Sequence, residues 1–243
     1  MFFKRCIDIV ASALGLLILS PVLLFFMTAI FLQDLKSPLF LGMRVGKDGK
    51  LFKMYKLRSM VVNAGELGGV STAGDDMRIT PVGVIVRKAK LDELMQLVNV
   101  LNGSMSLVGP RPNVSEDTAR YTEVENAILE VKPGITDFAS IVFADEGVVL
   151  SGSDNPDLRY NQVIRPWKSR LALFYIENRS TFVDVALIII TVIGVISRGT
   201  ALKLTSRLLH SLGGAPELVE VAMRRNQLVP SVPPGANQIV TRL

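Results

Sequence analysis

Cysteine and histidine are nearly missing from this chain, with one of each in 243 residues. A lone Cys6 excludes a disulfide framework within the chain. One cysteine with one histidine also excludes the clusters that usually hold zinc. A metal bound here is therefore expected to be a hard cation on carboxylates, Mg²⁺ before others. No internal repeat is visible. Charge is missing locally: Ile9 to Leu32 carries none in 24 residues, and Val185 to Ile196 none in 12. These stretches account for a mean hydropathy of +0.38 alongside 20% charged residues.

What remains is basic, with a net charge of +5 and a pI near 9.4. That balance suits nucleic acid, anionic lipid headgroups or phosphorylated small molecules, and does not choose among them. The length allows one modest domain with appendages.

As a helix, Ile9–Leu32 is about 36 Å long, enough for a hydrocarbon core of about 30 Å. The run is too long for a signal peptide, and Gln33-Asp34-Leu35-Lys36 is a poor cleavage context. Ser20-Pro21 lies at its middle. Proline removes a helical hydrogen bond, and the serine hydroxyl can take up the freed carbonyl, so a kink or break is expected at mid-depth. Lys4 and Arg5 precede the block; Lys36, Arg44, Lys47, Lys50, Lys53, Lys56 and Arg58 follow it. Positive charge prefers the cytoplasmic side. Two basic flanks around a Ser-Pro break suit a re-entrant helix that returns on one face. An ordinary kinked span with the amino terminus outside is the other reading.

Pro38–Lys56 reads as short strands or turns, and Asn63–Asp76, with Gly65, Gly68, Gly69 and Gly74, as a mobile loop. Thr80-Pro81 starts a short helix over Val82–Ala89. Leu91–Leu101 reads as a helix with Leu91, Leu94, Met95, Val98 and Leu101 on one face, ended by Asn102-Gly103. Val108–Pro112 is a rigid loop. Ser115–Val131 is expected to be one helix, closed by Lys132-Pro133-Gly134. Gly152–Pro156 is loop, and Leu158–Ser180 is mainly helical, broken near Pro166. Phe182–Ile196 is apolar nearly all round but short for a span, as expected for an interfacial helix followed by Arg198, Lys203 and Arg207. Pro216–Leu228 reads as an amphipathic helix, and Pro230–Asn237 as disordered.

Three clusters can carry chemistry. Lys56-Leu57-Arg58-Ser59-Met60 places two cations on one side of an extended segment, as a phosphate clamp or as interfacial cations. Arg87 to Glu93 reads RKAKLDE and puts Asp92 and Glu93 in the first turn of the Leu91 helix, where the macrodipole keeps Asp92 ionised. Gln96 and Asn99 share its face. A solvated helix start obeying the charge rule is the plainer reading. Gly109-Pro110-Arg111-Pro112 holds an arginine in a rigid backbone, suited to phosphate or merely to ending a turn.

With these motifs the sequence resembles the bacterial monotopic phosphoglycosyl transferases, which start glycan assembly on undecaprenyl or related lipid phosphates. The matching residues are Ser20-Pro21, Tyr55–Met60, Arg87, Leu91–Leu97, Asn99–Leu101, Gly103, Met105–Pro112 and Lys132–Thr136. Tyr175–Asn178, Ser180 and Asp184 match more weakly. The resemblance implies that Asp92 attacks the β-phosphate of a UDP-sugar and releases UMP. The polyprenyl phosphate then takes the phosphosugar from the aspartyl intermediate. It implies Glu93 as the Mg²⁺ ligand, with Lys56, Arg58, Arg87 and Arg111 holding phosphate oxygens.

The implied fold is mainly α with a few short strands. A re-entrant membrane helix (1–36) precedes a small cytoplasmic catalytic domain with interfacial helices (37–200), lying on the inner membrane. An extension (201–243) follows, for membrane contact or self-association as a homodimer. Lacking another large domain, the chain resembles the small form of the family. Nucleic acid is not an expected partner. The family usually has proline where this chain has Met95, and small residues with a glutamine where it has Asp137–Ile141. That second departure leaves the donor open, with an N-acetylated amino sugar expected from family habit. Two other readings are a CDP-lipid phosphotransferase and a basic, membrane-tethered protein that binds anionic lipid or nucleic acid without needing Asp92.

Overall fold

One continuous helix, α1 (Phe2–Asp34), opens the computed structural model, which describes residues 2–68 and 71–242. At ~1.5 Å per residue its 33 residues extend about 50 Å. By length and composition it could cross a membrane. Of the kink or break expected at Ser20-Pro21, a break does not occur: Pro21 lies inside the helix. Pro21 cannot serve the Leu17 carbonyl four residues back. The Ser20 hydroxyl donates to that oxygen at 2.7 Å instead, so the helical path continues.

A β-hairpin follows, β1 (Leu39–Val45) with β2 (Leu51–Leu57), antiparallel with Phe40 opposite Lys56 and Arg44 opposite Phe52. Within the segment expected to be loop, Ala64–Leu67 forms one helical turn, α2, and Gly69 lies outside the described residues. α3 (Pro81–Lys88) starts where expected, with the Thr80 hydroxyl accepting from the Gly83 N–H.

The helix expected over Leu91–Leu101 divides. Leu91–Glu93 is a 3₁₀ turn entered through a left-handed Lys90, and α4 is Gln96–Asn102, ended by left-handed Gly103. The tighter turn shifts the helical phase. Leu91, Leu94 and Met95 pack toward α1, while Gln96, Leu97, Asn99 and Val100 become the buried face of α4.

β3 (Ser106–Val108) and β4 (Gly134–Thr136) pair in parallel. Their flanking glycines explain two of the motifs. A Cβ on Gly134 would lie 2.1 Å from the Gly109 nitrogen, so the GPRP and KPGIT segments touch through bare backbone. The helix expected from Ser115 to Val131 is broken into α5 (Ser115–Thr118) and a 3₁₀ stretch, Glu125–Glu130. Thr122 and Glu125 restart the chain by a reciprocal capping box: each side chain accepts from the other's backbone N–H.

α6 (Phe138–Val142), capped by Asp137, leads to α7 (Glu146–Leu150) and α8 (Pro156–Arg159). A π-turn, Tyr160–Ile164, joins α8 to α9 (Arg165–Asn178), so the irregularity expected near Pro166 falls just before it. α10 (Thr181–Ile196) and α11 (Arg198–Ser211) follow. α12 (Pro216–Met223) stops at a left-handed Arg224, short of the expected Leu228.

The main core joins α6, α9, α10, α11 and α12 around Phe138, Leu171, Leu187, Leu209 and Ala222. The boundary expected at residue 200 thus falls inside a helix of this core. In place of the disorder expected for Pro230–Asn237, the segment is an extended strap. Ser231 N–H donates to the Gln162 carbonyl, Arg170 donates to Val232 and Thr122 to Pro234.

α1 is fastened along its length. Lys4 reaches Asp184 at 2.6 Å and the Val108 carbonyl at 3.0 Å. Arg5 caps the last carbonyls of α4, at Val100 and Leu101. Asp8 accepts from the Ser106 hydroxyl and the Leu107 N–H. Leu23 and Ile30 are buried against Leu57 and Val86. The opposite side, with Leu17, Ile18, Leu24, Phe25 and Leu32, is exposed, as are Phe182, Val192 and Val195 of α10.

Candidate active site

The 3₁₀ turn after α3 carries Asp92 and Glu93 and lies against β2. Asn99 positions that strand. Its side chain accepts from Tyr55 N–H at 2.9 Å and donates to the Lys53 carbonyl at 2.7 Å, clamping β2 to α4. Lys56, next on the strand, donates to Glu93 Oε1 at 3.1 Å. On the other side, the loop leaving β3 is locked by Gly109 N–H to Thr136 and Gly134 N–H to Pro110. It delivers Arg111, whose two terminal nitrogens both donate to the Glu93 carboxylate. Lys56, Glu93 and Arg111 thus form a cation–carboxylate–cation row beside Asp92.

The two carboxylates sit in opposite electrostatic states. Burial raises the proton affinity of Glu93, but the Arg111 and Lys56 charges and hydrogen bonds outweigh it and hold Glu93 well below the usual carboxylate range. Asp92 is also buried, and its carboxylate has no hydrogen-bond partner among the described residues. Burial and the Glu93 charge push its pKa up, against the pull of Lys56, Arg87 and Arg111. The expected helix N-terminus that would favour ionised Asp92 is therefore not what governs it: the dyad precedes α4. Burial lowers the Lys56 pKa, and Glu93 raises that of Arg111.

The other expected cations divide. Arg87, in the last turn of α3, is half-buried, makes no ion pair among the described residues, and its charge reaches Asp92. Arg58 is not beside Lys56. β2 ends at Leu57, so strand alternation no longer holds, and Arg58 turns to Asp34 with contacts of 2.5 and 2.6 Å. There it closes the end of α1, with both terminal nitrogens engaged by Asp34. Ser20 and Pro21 stay within α1, outside the site's hydrogen bonds. Gln96 is buried with its Nε2 unpartnered among the described residues.

Sequence reasoning did not assign Arg44 to the site. It lies on β1 and feels the Arg111 charge, and burial followed by that charge lowers its pKa. It also missed Glu146 and Lys168, an ion pair joining α7 to α9. No local pattern marks a pair 22 residues apart.

Among the described residues, no group of three or more His, Cys, Asp or Glu is arranged to hold a metal ion. The donor set is one or two adjacent carboxylates. That fits Mg²⁺, which is commonly held by few protein oxygens together with substrate phosphates.

The family described as bacterial sugar transferase matches residues 1–198. Undecaprenyl-phosphate galactose phosphotransferase of Salmonella typhimurium is 35% identical over 215 residues, covering 82% of this chain and 42% of that protein. UDP-glucose:undecaprenyl-phosphate glucose-1-phosphate transferase of Klebsiella pneumoniae is 40% identical over 144 residues, 58% of this chain and 31% of that protein. The uncharacterized sugar transferase EpsL of Bacillus subtilis is 36% identical over 193 residues, 79% and 86% of the two chains. This chain therefore spans less than half the length of the first two. The family match contains Lys56, Asp92, Glu93 and Arg111, and the chain belongs to the bacterial sugar transferase family.

Proposed function

We propose that this protein is a phosphoglycosyl transferase, moving a sugar-1-phosphate from a UDP-sugar to a polyprenyl phosphate such as undecaprenyl phosphate and releasing UMP. The observation that carries this is the division of labour in the dyad. Glu93 is paired with the Lys56 and Arg111 cations, while Asp92 beside it is buried, unpartnered among the described residues and the more basic of the two. The printed names of the Salmonella and Klebsiella relatives support the same reaction class.

In this reading an Asp92 oxygen attacks the β-phosphorus of the donor. The bond from that phosphorus to the bridging oxygen breaks, and UMP leaves with the electron pair. An oxygen of the polyprenyl phosphate then attacks the same phosphorus, the bond to Asp92 breaks, and the carboxylate is restored. Arg111 and Lys56 offset charge developing on the phosphoryl oxygens, with Arg87 on the Asp92 side. Glu93 would hold Mg²⁺, which neutralises diphosphate charge when bound.

A re-entrant placement on the cytoplasmic face of the inner membrane accompanies this function. It is supported by the fastening of both ends of α1 to one domain, Lys4 to Asp184 and Asp34 to Arg58. An end held this way is not free to lie across a bilayer of about 30 Å. The exposed apolar sides of α1 and α10 would meet lipid, bringing an acceptor phosphate to headgroup depth.

Purified protein with Mg²⁺, polyprenyl phosphate and a panel of UDP-sugars tests the reaction: UMP is the expected product. Release of UDP, or full activity of Asp92→Asn, overturns it. Placement is tested with Phe2→Cys in a Cys6→Ser background. Labelling by an impermeant thiol reagent in intact cells sinks the re-entrant reading.

A further inference from the structure

The row of charges does not end at Arg111. Glu146, first residue of α7, is ion-paired with Lys168 of α9, and the Lys168 ammonium lies 5.2 Å from the centre of the Tyr160 ring. Two links set this pair beside the dyad. Lys90, immediately before the dyad's turn, donates its ammonium to the Ala144 carbonyl at 2.8 Å, two residues ahead of Glu146. The bond from Gly109 N–H to Thr136 seats Arg111 next to the strand that leads through α6 to α7. Arg111 feels the Glu146 charge, and Glu146 feels that of Glu93. The Glu146 side chain keeps 32% of its surface exposed and Lys168 keeps 13%, so the pair has an open side.

A carboxylate in this place repels the phosphates that Lys56 and Arg111 attract. It accepts hydrogen bonds and donates none when ionised, and the Lys168 and Arg111 charges lower its pKa against the opposing effect of burial. Its natural partners are neutral hydroxyls, and two neighbouring hydroxyls match its two oxygens. The Lys168 ammonium, held over Tyr160, adds donors for a hydroxyl or carbonyl oxygen. A donor whose β-phosphate meets Asp92 carries its sugar one bond away, within reach of residues just past Arg111.

We propose that Glu146 and Lys168 form the wall of the donor site that reads the hydroxyls of the transferred sugar. This rests on the proposed function and names the part of the site that selects the donor. The nucleotide's ribose offers the same hydroxyl chemistry, and the test separates the two.

The test uses full-length wild type, Glu146→Gln and Lys168→Met in lipid nanodiscs. It measures kcat and KM for the accepted UDP-sugar, and the Kd of that UDP-sugar and of UMP by calorimetry. Glu146→Gln should raise KM and donor Kd about tenfold, the scale of one charged hydrogen bond, while leaving UMP affinity unchanged. The preference among epimeric UDP-sugars should narrow. Equal loss of UMP affinity assigns the pair to the ribose and overturns the inference. Unchanged donor affinity with a lowered melting temperature makes it a structural ion pair and also overturns it. Lys168→Met, which keeps Glu146, gives the same decision should Glu146→Gln not fold. If wild type binds donor but releases no UMP, the proposed reaction fails while the affinity comparison still decides this inference.

Discussion

Arg111 closes both terminal nitrogens of its guanidinium on the carboxylate of Glu93, while Asp92, the neighbouring residue, has no hydrogen-bonded cation among the described residues. The fork geometry is what lysine cannot reproduce. Arg111→Met should lower UMP release about 100-fold or more, the scale for losing one preorganised donor to developing charge. Arg111→Lys should recover only part of that. A coupled UMP assay at saturating donor reads both.

The raised pKa of Asp92 fixes the sign of two pH effects. A carboxylate that binds its proton more tightly in the folded chain stabilises the fold when protonated. That stability is lost as pH rises through the raised folded value. Asp92→Asn imitates the protonated form, so it should be inactive yet melt at a higher temperature than wild type at neutral pH. The gap should close below the ordinary carboxylate range. Lys56 opposes the shift, so Lys56→Met should move the acid limb of kcat/KM to higher pH. Thermal melts and pH–rate profiles check the two signs.

Asp34 and Arg58 act as an anchor. Their single and double substitutions, Asp34→Asn and Arg58→Met, should be strongly non-additive in thermal stability, because either change removes the same contact. Arg58→Met should leave the donor KM near wild type, unlike Arg111→Met. A large KM increase for Arg58→Met alone would return Arg58 to the phosphate site.

Gly134→Ala tests the strand contact. Its Cβ would meet the Gly109 nitrogen at 2.1 Å, and backbone cannot move aside as a side chain does. A loss of about 3 kcal/mol is expected, at the upper end for overpacking. Denaturant unfolding in detergent measures it. Activity should fall too, since the displaced loop carries Arg111.

Much of the site is legible in the sequence because its parts lie close along the chain. Asp92 and Glu93 are adjacent, and Arg111 is pinned between two prolines. Several helices, and the short strand- or turn-like character of Pro38–Lys56, are readable from apolar spacing and glycines, while the pairing of β1 with β2 is not. Other features depend on contacts that spacing does not encode. Arg58 alternates correctly with Lys56 on paper, but the strand ends one residue too early and Asp34 lies within reach. The Leu91 helix divides into a 3₁₀ turn, entered through left-handed Lys90, and a helix from Gln96. The Ser115 helix divides because Thr122 and Glu125 cap each other's backbone. Glu146 and Lys168 meet only once α7 packs on α9.

The Asp34–Arg58 bridge joins the far end of α1 to the chain just past β2, two residues beyond Lys56. Lys56 in turn contacts Glu93 at 3.1 Å. A helix seated in lipid adjusts its tilt to the thickness of the hydrocarbon layer. With α1 bolted to the end of β2, such a tilt pulls on the residue that lines the reaction centre. In the proposed membrane placement, acyl-chain length would then act on turnover through one carboxylate–guanidinium pair.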